Sequence, residues 1–468
     1  MASTARPGPA RERTHAVVIG AGVAGLAVAR VLTDACERVT VIDRDTLPTA
    51  PAPRRGVPQG RQLHTLLARG ALALDELFPG FTDELVAAGA SRADTQGDAH
   101  WYLDGHRAYR APSGLISYGA SRPLVEQLLR ARVAALAGVG IRDSTEVLGL
   151  AAAPDRTRIT GVRVRPRSGG ASGDAGEETL GADLVVDASG RGSRALTWLE
   201  ELGHPLPART RVRADVVYVT RRFRREPHHL GGLMGVAVVG FPGMPRGGAL
   251  LAEEDGRFAV VLVGQFGEEP PTDDEGMLAY AESLPGPDIA ELLRTAEPLD
   301  RPVKMRYPAS VRHHYEKLGR HLGGFLVAGD ALCSFNPAYG QGMTAAAQQA
   351  ILLRKLLAEG TDDLPRRFFR AAARAVDTPW LLAAGGDLRF PEVEGRRGPA
   401  DGLLDRYLTR YRAAASADPV LARTFLAVAH MMEPPARLMS PGHVLRVLRA
   451  ARKAGGPGTG RPRTPAAS

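Results

Sequence analysis

HAVVIGAGVAGLAVARVL, His15 to Leu32, followed by RVTVID, Arg38 to Asp43, decides the fold. His15 to Ile19 is a short apolar run with the texture of a buried strand, and Leu26 to Leu32 reads as an apolar helix. Between them Gly20 to Gly25 fits G-x-G-x-x-G, and the second strand ends on Asp43, 18 residues after Gly25. Gly20 permits the turn, Gly22 clears the backbone for a pyrophosphate, and Gly25 lets helix and strand approach. The helix N-terminus offers unpaired N–H groups to phosphate. Asp43 is placed to accept from ribose hydroxyls. This is a dinucleotide fingerprint; alone it does not separate FAD from NAD.

The chain has 468 residues, 44% hydrophobic and 24% charged, which is ordinary globular composition. No run approaches 18 apolar residues, so stable membrane insertion is not expected. Met1 to Thr14 is polar and Pro-containing, with no apolar signal-peptide core, so the expected location is the cytoplasm. Cys36 and Cys333 are the only cysteines, which suggests neither a disulfide framework nor a zinc site; no metal is expected. The net charge is +9, but the arginines are spread along the chain and aromatics are 5%, so no nucleic-acid partner is inferred. His313-His314 reads as a solvated loop pair.

Further along, Gln62 to Leu77 reads as a helix, and Ser121 to Leu136 as an amphipathic helix with Pro123 in its first turn. Ile159 to Arg165 and Leu180 to Val186 read as strands around a loop at Ser168 to Gly176. From Val212 to Gly264 the strand-like segments follow one another with turns between, as in an antiparallel sheet. Asp273 to Leu284 and Thr344 to Leu357 read as helices, Phe325 to Ala328 as a buried strand, and Arg366 to Arg452 as mostly helical. Val444 to Lys453 is basic and amphipathic, read as a surface helix. The tail, Gly455 to Ser468, is Pro/Gly/Arg-rich and expected to be disordered.

Two further segments accompany the first: ADLVVDASGRGSRAL (Ala182 to Leu196) and GDALCSFNPAYGQGMTAA (Gly329 to Ala346). In this order and spacing the three resemble the FAD-dependent monooxygenases of the aromatic hydroxylase class, over about Ala16 to Glu359. RRGVPQGRQLHTLL (Arg54 to Leu67), VYVTRRFR (Val217 to Arg224) and DTPWLLAAGGDLRFP (Asp377 to Pro391) look like the flavin epoxidases of polyether-antibiotic biosynthesis, of the lasalocid and monensin type. Two positions depart from the aromatic hydroxylases: Asp187-Ala188 stands where they read Asp-Gly, and Cys333 where they carry a His.

The resemblance implies an α/β fold: a Rossmann-like, glutathione-reductase-like FAD-binding domain with an inserted antiparallel-sheet substrate domain and C-terminal helices. The expected division is a disordered 1–14, FAD-binding segments at 15–97, 111–205 and 303–360, substrate-domain segments at 98–110 and 206–302, a helical region at 361–454, and a disordered 455–468. The residues it implies at FAD are Gly20, Gly22, Ala24, Gly25, Asp43, Arg44, Arg61, Arg122, Asp187, Gly190, Gly329, Asp330, Pro337, Gly340, Gln341, Gly342 and Met343, with Arg54 and Gln59 as further candidates. Asp330 is expected on the ribityl hydroxyls, and Gly340 to Gly342 at the flavin N1–C2=O edge. Tyr218 and Phe258 are the candidates for the substrate pocket.

The implied chemistry uses NAD(P)H and O2 as co-substrates and a C4a-hydroperoxyflavin as the oxygen donor, so no catalytic side chain is assigned. The implied substrate is a lipophilic polyene or aromatic molecule, free or carrier-protein-bound, and a separate flavin reductase is an alternative electron source. Alkene epoxidation is the leading expectation; aromatic hydroxylation and a geranylgeranyl-type prenyl reduction stay open. A flavin halogenase is disfavoured, because no Lys precedes Lys304 and no WxWxIP segment occurs.

Overall fold

In the computed structural model, residues 14–167, 176–395, 398 and 401–454 are described. The expectations for the N-terminal 1–13, for the loop at 168–175 and for the tail at 455–468 lie outside those residues.

His15–Ile19 is the middle strand of a five-stranded sheet ordered Phe325–Val327, Leu184–Asp187, His15–Ile19, Arg38–Ile42, Val139–Arg142. All four pairings are parallel. A central parallel strand is covered on both faces, which explains why HAVVI is apolar without alternation; all five residues are buried. The Val23–Leu32 helix packs against Arg122–Ala134 and Gly342–Ala358. Ser121 caps the Arg122–Ala134 helix by accepting from Leu124 N at 3.3 Å, with Pro123 in the first turn.

The second large sheet has eight strands, in the order Cys333–Ser334, Val303–His313, Arg209–Arg224, Arg257–Gln265, Arg246–Glu253, Gly235–Val238, Ala99–Leu103, His106–Arg107. It is antiparallel except where Gly235–Val238 runs parallel to Ala99–Leu103. Side chains alternate across it with period two. On Arg257–Gln265, Phe258, Val260 and Leu262 pack with Met277, Tyr280 and Ile289 of the covering helices Asp274–Glu282 and Asp288–Thr295. Val261 and Val263 face the other way, with Tyr218 and Met305.

Three elements differ from the sequence reading. Gln62 to Leu67 is not helical: the helix is Ala68–Leu77, and Thr65–Leu66 is a short strand paired to Tyr118 and Gly119. Gln62 is held instead by Thr220, whose Oγ1 donates to its Oε1 at 2.6 Å, so a contact distant in sequence overrides local helix preference. Leu180 to Val186 divides into Glu178–Gly181 and Leu184–Asp187, which belong to different sheets. His313 is the last residue of a strand, not loop.

The C-terminal region folds as the helices Leu364–Asp387, Asp401–Ala414, Pro419–Ala429 and Pro441–Ala454. Asp104, in the turn joining Ala99–Leu103 to His106–Arg107, fastens them to the second sheet. Arg389 donates to both its oxygens, at 3.0 and 2.8 Å, and Arg412 to its Oδ2 at 3.2 Å. No helix among the described residues is long and apolar enough to cross a membrane.

Candidate cofactor and substrate site

A cavity of about 1520 Å³ runs from the Gly20–Gly22 turn, along one face of the second sheet, to the C-terminal helices. Single small-ligand pockets span roughly 300–1,000 Å³, so there is room for a second ligand beside a dinucleotide.

At its first end the backbone is too close for side chains. A Cβ on Gly25 would lie 1.8 Å from the Gly20 carbonyl oxygen. Gly22 is the N-cap of the Val23–Leu32 helix, whose first turn holds no acid. A Cβ built on Gly22 would lie 3.7 Å from Nη2 of both Arg122 and Arg54. Those guanidiniums are clamped from behind by Glu126, which is 3% exposed: Arg122 Nε donates to it at 2.8 Å and Arg54 Nε at 3.0 Å. Burial alone would raise the Glu126 carboxyl; the two arginines outweigh it and hold it below the ordinary value. Backbone N–H groups, a helix N-terminus and two outward-facing guanidinium edges form a cradle for a pyrophosphate.

Asp43 is buried at the end of its strand. Its Oδ2 accepts from Ala21 N at 2.7 Å and Arg54 Nη1 at 3.0 Å, and its Oδ1 from Asp45 N at 2.9 Å. Oδ1 keeps one acceptor position for a ribose hydroxyl. Arg44, Gly190, Ala24 and Gln59 also line the cavity. Arg61 does not: its side chain is exposed, and only its carbonyl is engaged, accepting from Arg222. The loop turns Arg54 inward in its place. Asp187 does not line the cavity either. It is fully buried and accepts from Ser189 N and Oγ and from Ser193 Oγ, which fixes the turn carrying Gly190.

The late segment forms the next stretch of wall. Gly329 has φ +65, and a Cβ there would lie 2.7 Å from the Ala24 Cβ, so the position favours glycine twice over. It places Asp330 in the cavity, where no described residue hydrogen-bonds its carboxylate; burial raises its pKa while Arg122 and Arg191 pull it down. Pro337, Gly340, Gln341, Gly342 and Met343 line the wall, and Gln341 is the N-cap of the Gly342–Ala358 helix. Gln341 Oε1 is buried without a described partner. Cys333 is 1% exposed and packs with Phe335, Ala345 and Val376. It is an apolar core residue, and burial drives its thiol far above the ordinary range.

The pocket candidates separate. Tyr218 faces the cavity and donates to Asn336 Oδ1, while Ala338 N donates to the Tyr218 oxygen at 3.2 Å. Phe258 is 0% exposed and lies on the opposite side of the sheet, under Arg225. Its place on the strand is one residue out of phase with Val261 and Val263, so it belongs to the core against the covering helices.

Several residues in or behind the cavity wall carried no signal of their own in the sequence. Asp387 ends the Leu364–Asp387 helix and is 1% exposed; its Oδ1 accepts from Asn336 Nδ2 at 2.9 Å and Tyr339 OH at 3.2 Å, and burial raises it to about 7. His64 Nδ1 donates to the Gln62 carbonyl at 3.0 Å, and burial, aided by Arg122, lowers the ring to about 4. Glu126 had one legible cue, its i,i+4 spacing from Arg122 on an amphipathic helix.

Residues 13–363 match the family described as FAD binding domain. The chain belongs to that family. As an FAD-binding-domain flavoprotein it is an oxidoreductase, and its glycine cradle, unsatisfied carboxylate and outward guanidiniums fit FAD. Protein Rv3254 of Mycobacterium tuberculosis is 37% identical over 434 residues, covering 88% of this chain and 89% of that protein. Kynurenine 3-monooxygenase of Salinispora tropica is 27% identical over 449 residues, covering 88% and 85%. Among solved structures, a flavoprotein/dehydrogenase from Cytophaga hutchinsonii superposes with a TM-score of 0.66 at 18% identity, over 94% of this chain and 98% of that one; this is a likeness of fold.

Proposed function

We propose that this flavoprotein is a monooxygenase that transfers one atom of O2 to an alkene or electron-rich ring of a lipophilic, polyketide-like molecule, with NAD(P)H as the electron source. The observation that carries this reading is the continuity of the cavity. The wall that begins at Gly22 and passes Asp330 and Gly340–Met343 continues without a break into a chamber lined by Val261, Val263, Leu408 and Phe425. Likeness to kynurenine 3-monooxygenase supports the reaction class.

FAD held there would supply the redox chemistry, hydride acceptance and O2 activation. The protein's part is placement. Gly22, Arg122 and Arg54 would hold the pyrophosphate, Asp330 the ribityl chain, and the Gly342 helix start the electron-rich edge of the ring. The apolar chamber excludes water and presents one face of the substrate. Epoxidation is the preferred form, because electrophilic oxygen transfer to an alkene needs no protein base. Aromatic hydroxylation is the second reading; Asp387 and His64, titratable groups in the cavity wall, favour it because phenol oxidation gains from a nearby proton acceptor.

The test is turnover of polyene and phenolic polyketide probes under 18O-labelled O2 with NADH or NADPH. One labelled oxygen in the product supports the reading. Turnover with no label, or alkene reduction under anaerobic conditions, overturns it. Turnover that requires an added flavin reductase identifies that partner as the electron source.

A further inference from the structure

His430 is the C-cap of the Pro419–Ala429 helix. The residue is 2% exposed and forms part of the cavity wall. Ala68 N donates to Nδ1 at 3.3 Å, so the neutral ring carries its proton on Nε2. No described residue accepts from that Nε2–H, and the atom is not sealed inside protein, so it opens on the chamber. The Ala68 bond orients the ring, and two neighbours flank it. Trp101 stands edge-on at 6.2 Å, and Arg69 N donates to the His430 carbonyl at 3.3 Å. Burial holds the imidazole neutral, lowered to about 4.

The surroundings narrow what can meet this donor. Trp101, Leu103, Phe425, Val428 and Leu438 make the wall around it apolar. Two arginines that line the cavity at this end, Arg389 and Arg412, are engaged by Asp104 and Asp405. An anionic ligand would meet a neutral imidazole and committed guanidiniums. A hydroxyl would bring a donor of its own into an apolar wall, whereas a carbonyl oxygen only accepts.

We propose that His430 is a substrate-positioning residue whose Nε2–H donates to a carbonyl oxygen, and that the substrate is an uncharged lipophilic ketone or ester. The inference rests on the reading that this chamber holds the substrate. It places the recognised oxygen where the Pro419–Ala429 helix meets the start of the Ala68–Leu77 helix, whose preceding residue Leu67 packs beside Gly340.

Calorimetric titration of the protein as purified tests this without turnover. The probes are geranylacetone, the hydrocarbon in which its carbonyl is a methylene, and geranate. Wild type is expected to bind the ketone about 10-fold more tightly than the hydrocarbon, the scale of one hydrogen bond to a buried donor. In H430N, the shorter side chain keeps an acceptor for Ala68 N–H but loses the outer donor, and the preference falls to about 1. In H430Q, which restores a donor near the ε position, most of it returns. A wild type that does not bind the ketone, binds ketone and hydrocarbon equally, or prefers geranate overturns the proposal, as does an H430N that keeps the preference. If H430N does not fold, an H430Q without ketone preference overturns it. Oxygen insertion with no ketone preference sinks this anchor alone; ketone preference with no oxygen insertion sinks the monooxygenase reading alone.

Discussion

Asn336 Nδ2 donates to Asp387 Oδ1 at 2.9 Å, joining the residue before Pro337 to the last residue of a 24-residue helix. On its other side the Asn336 oxygen accepts from Tyr218. The loop at the cavity wall is therefore clamped between the second sheet and the C-terminal helices.

The clamp has a pH signature. The Asp387 carboxyl titrates near 7 in the fold against an ordinary 3.8, because burial penalises its charge. The folded state binds the proton more tightly than the unfolded chain, so this contribution is fully present below about pH 3.8 and is lost as pH rises to about 7. The loss amounts to about 4 kcal/mol over the full span. Asp387→Asn removes the titration. Its melting temperature is expected to fall less than that of wild type between about pH 5 and about pH 8; parallel curves would refute the assignment.

Tyr218 and Phe258 lie on opposite sides of one sheet and should fail differently. Phe258→Ala empties a core site and is expected to cost about 3–5 kcal/mol of stability, with substrate affinity of the folded fraction unchanged. Tyr218→Phe loses one hydroxyl shared by Asn336 and Ala338, a cost of about 1–3 kcal/mol, and is expected to alter turnover as the loop loosens. Denaturant melts paired with steady-state kinetics separate the two.

Gly25→Ala forces a methyl to within 1.8 Å of a carbonyl oxygen, so strand and helix must part. The variant is expected to purify with little or no flavin and to melt earlier than wild type. Stoichiometric flavin absorbance in purified Gly25→Ala would show that the turn is not the cradle.

Arg122→Ala removes one guanidinium edge from the pyrophosphate cradle. A charge-assisted contact of about 1.5–3 kcal/mol predicts roughly 10- to 100-fold weaker FAD binding, read by fluorescence quenching on reconstitution. Glu126→Ala is expected to be worse for folding, about 3–5 kcal/mol, because it leaves the part-buried Arg122 without its carboxylate partner and takes one of three from Arg54. A Glu126→Ala protein as stable as wild type would mean the arginines are solvated there.

The cradle was legible because its constraints are local. Gly20 to Gly25 and Asp43 lie within one strand–helix–strand unit, and Gly329-Asp330 with Gly340–Gly342 within one strand–loop–helix. The phase of Phe258 was not legible, since the middle of Arg257–Gln265 is apolar on both faces, with Phe258, Val260 and Leu262 on one and Ala259, Val261 and Val263 on the other. Arg61 and Arg54 sit in the same Pro/Gly-rich loop, and only its folded path decides which turns inward. His430 escaped notice for a different reason: its tautomer depends on Ala68, 362 positions away in the chain.

Phe325–Val327 completes the five-stranded sheet beside Leu184–Asp187. This order has a consequence for biogenesis. While the ribosome is still translating the second sheet, Leu184–Asp187 is a hydrophobic edge awaiting its neighbour, and Asp330 has not yet emerged. Until Phe325–Val327 emerges, that edge is open to pairing with another chain, and the cavity lacks the wall that Asp330 helps to form.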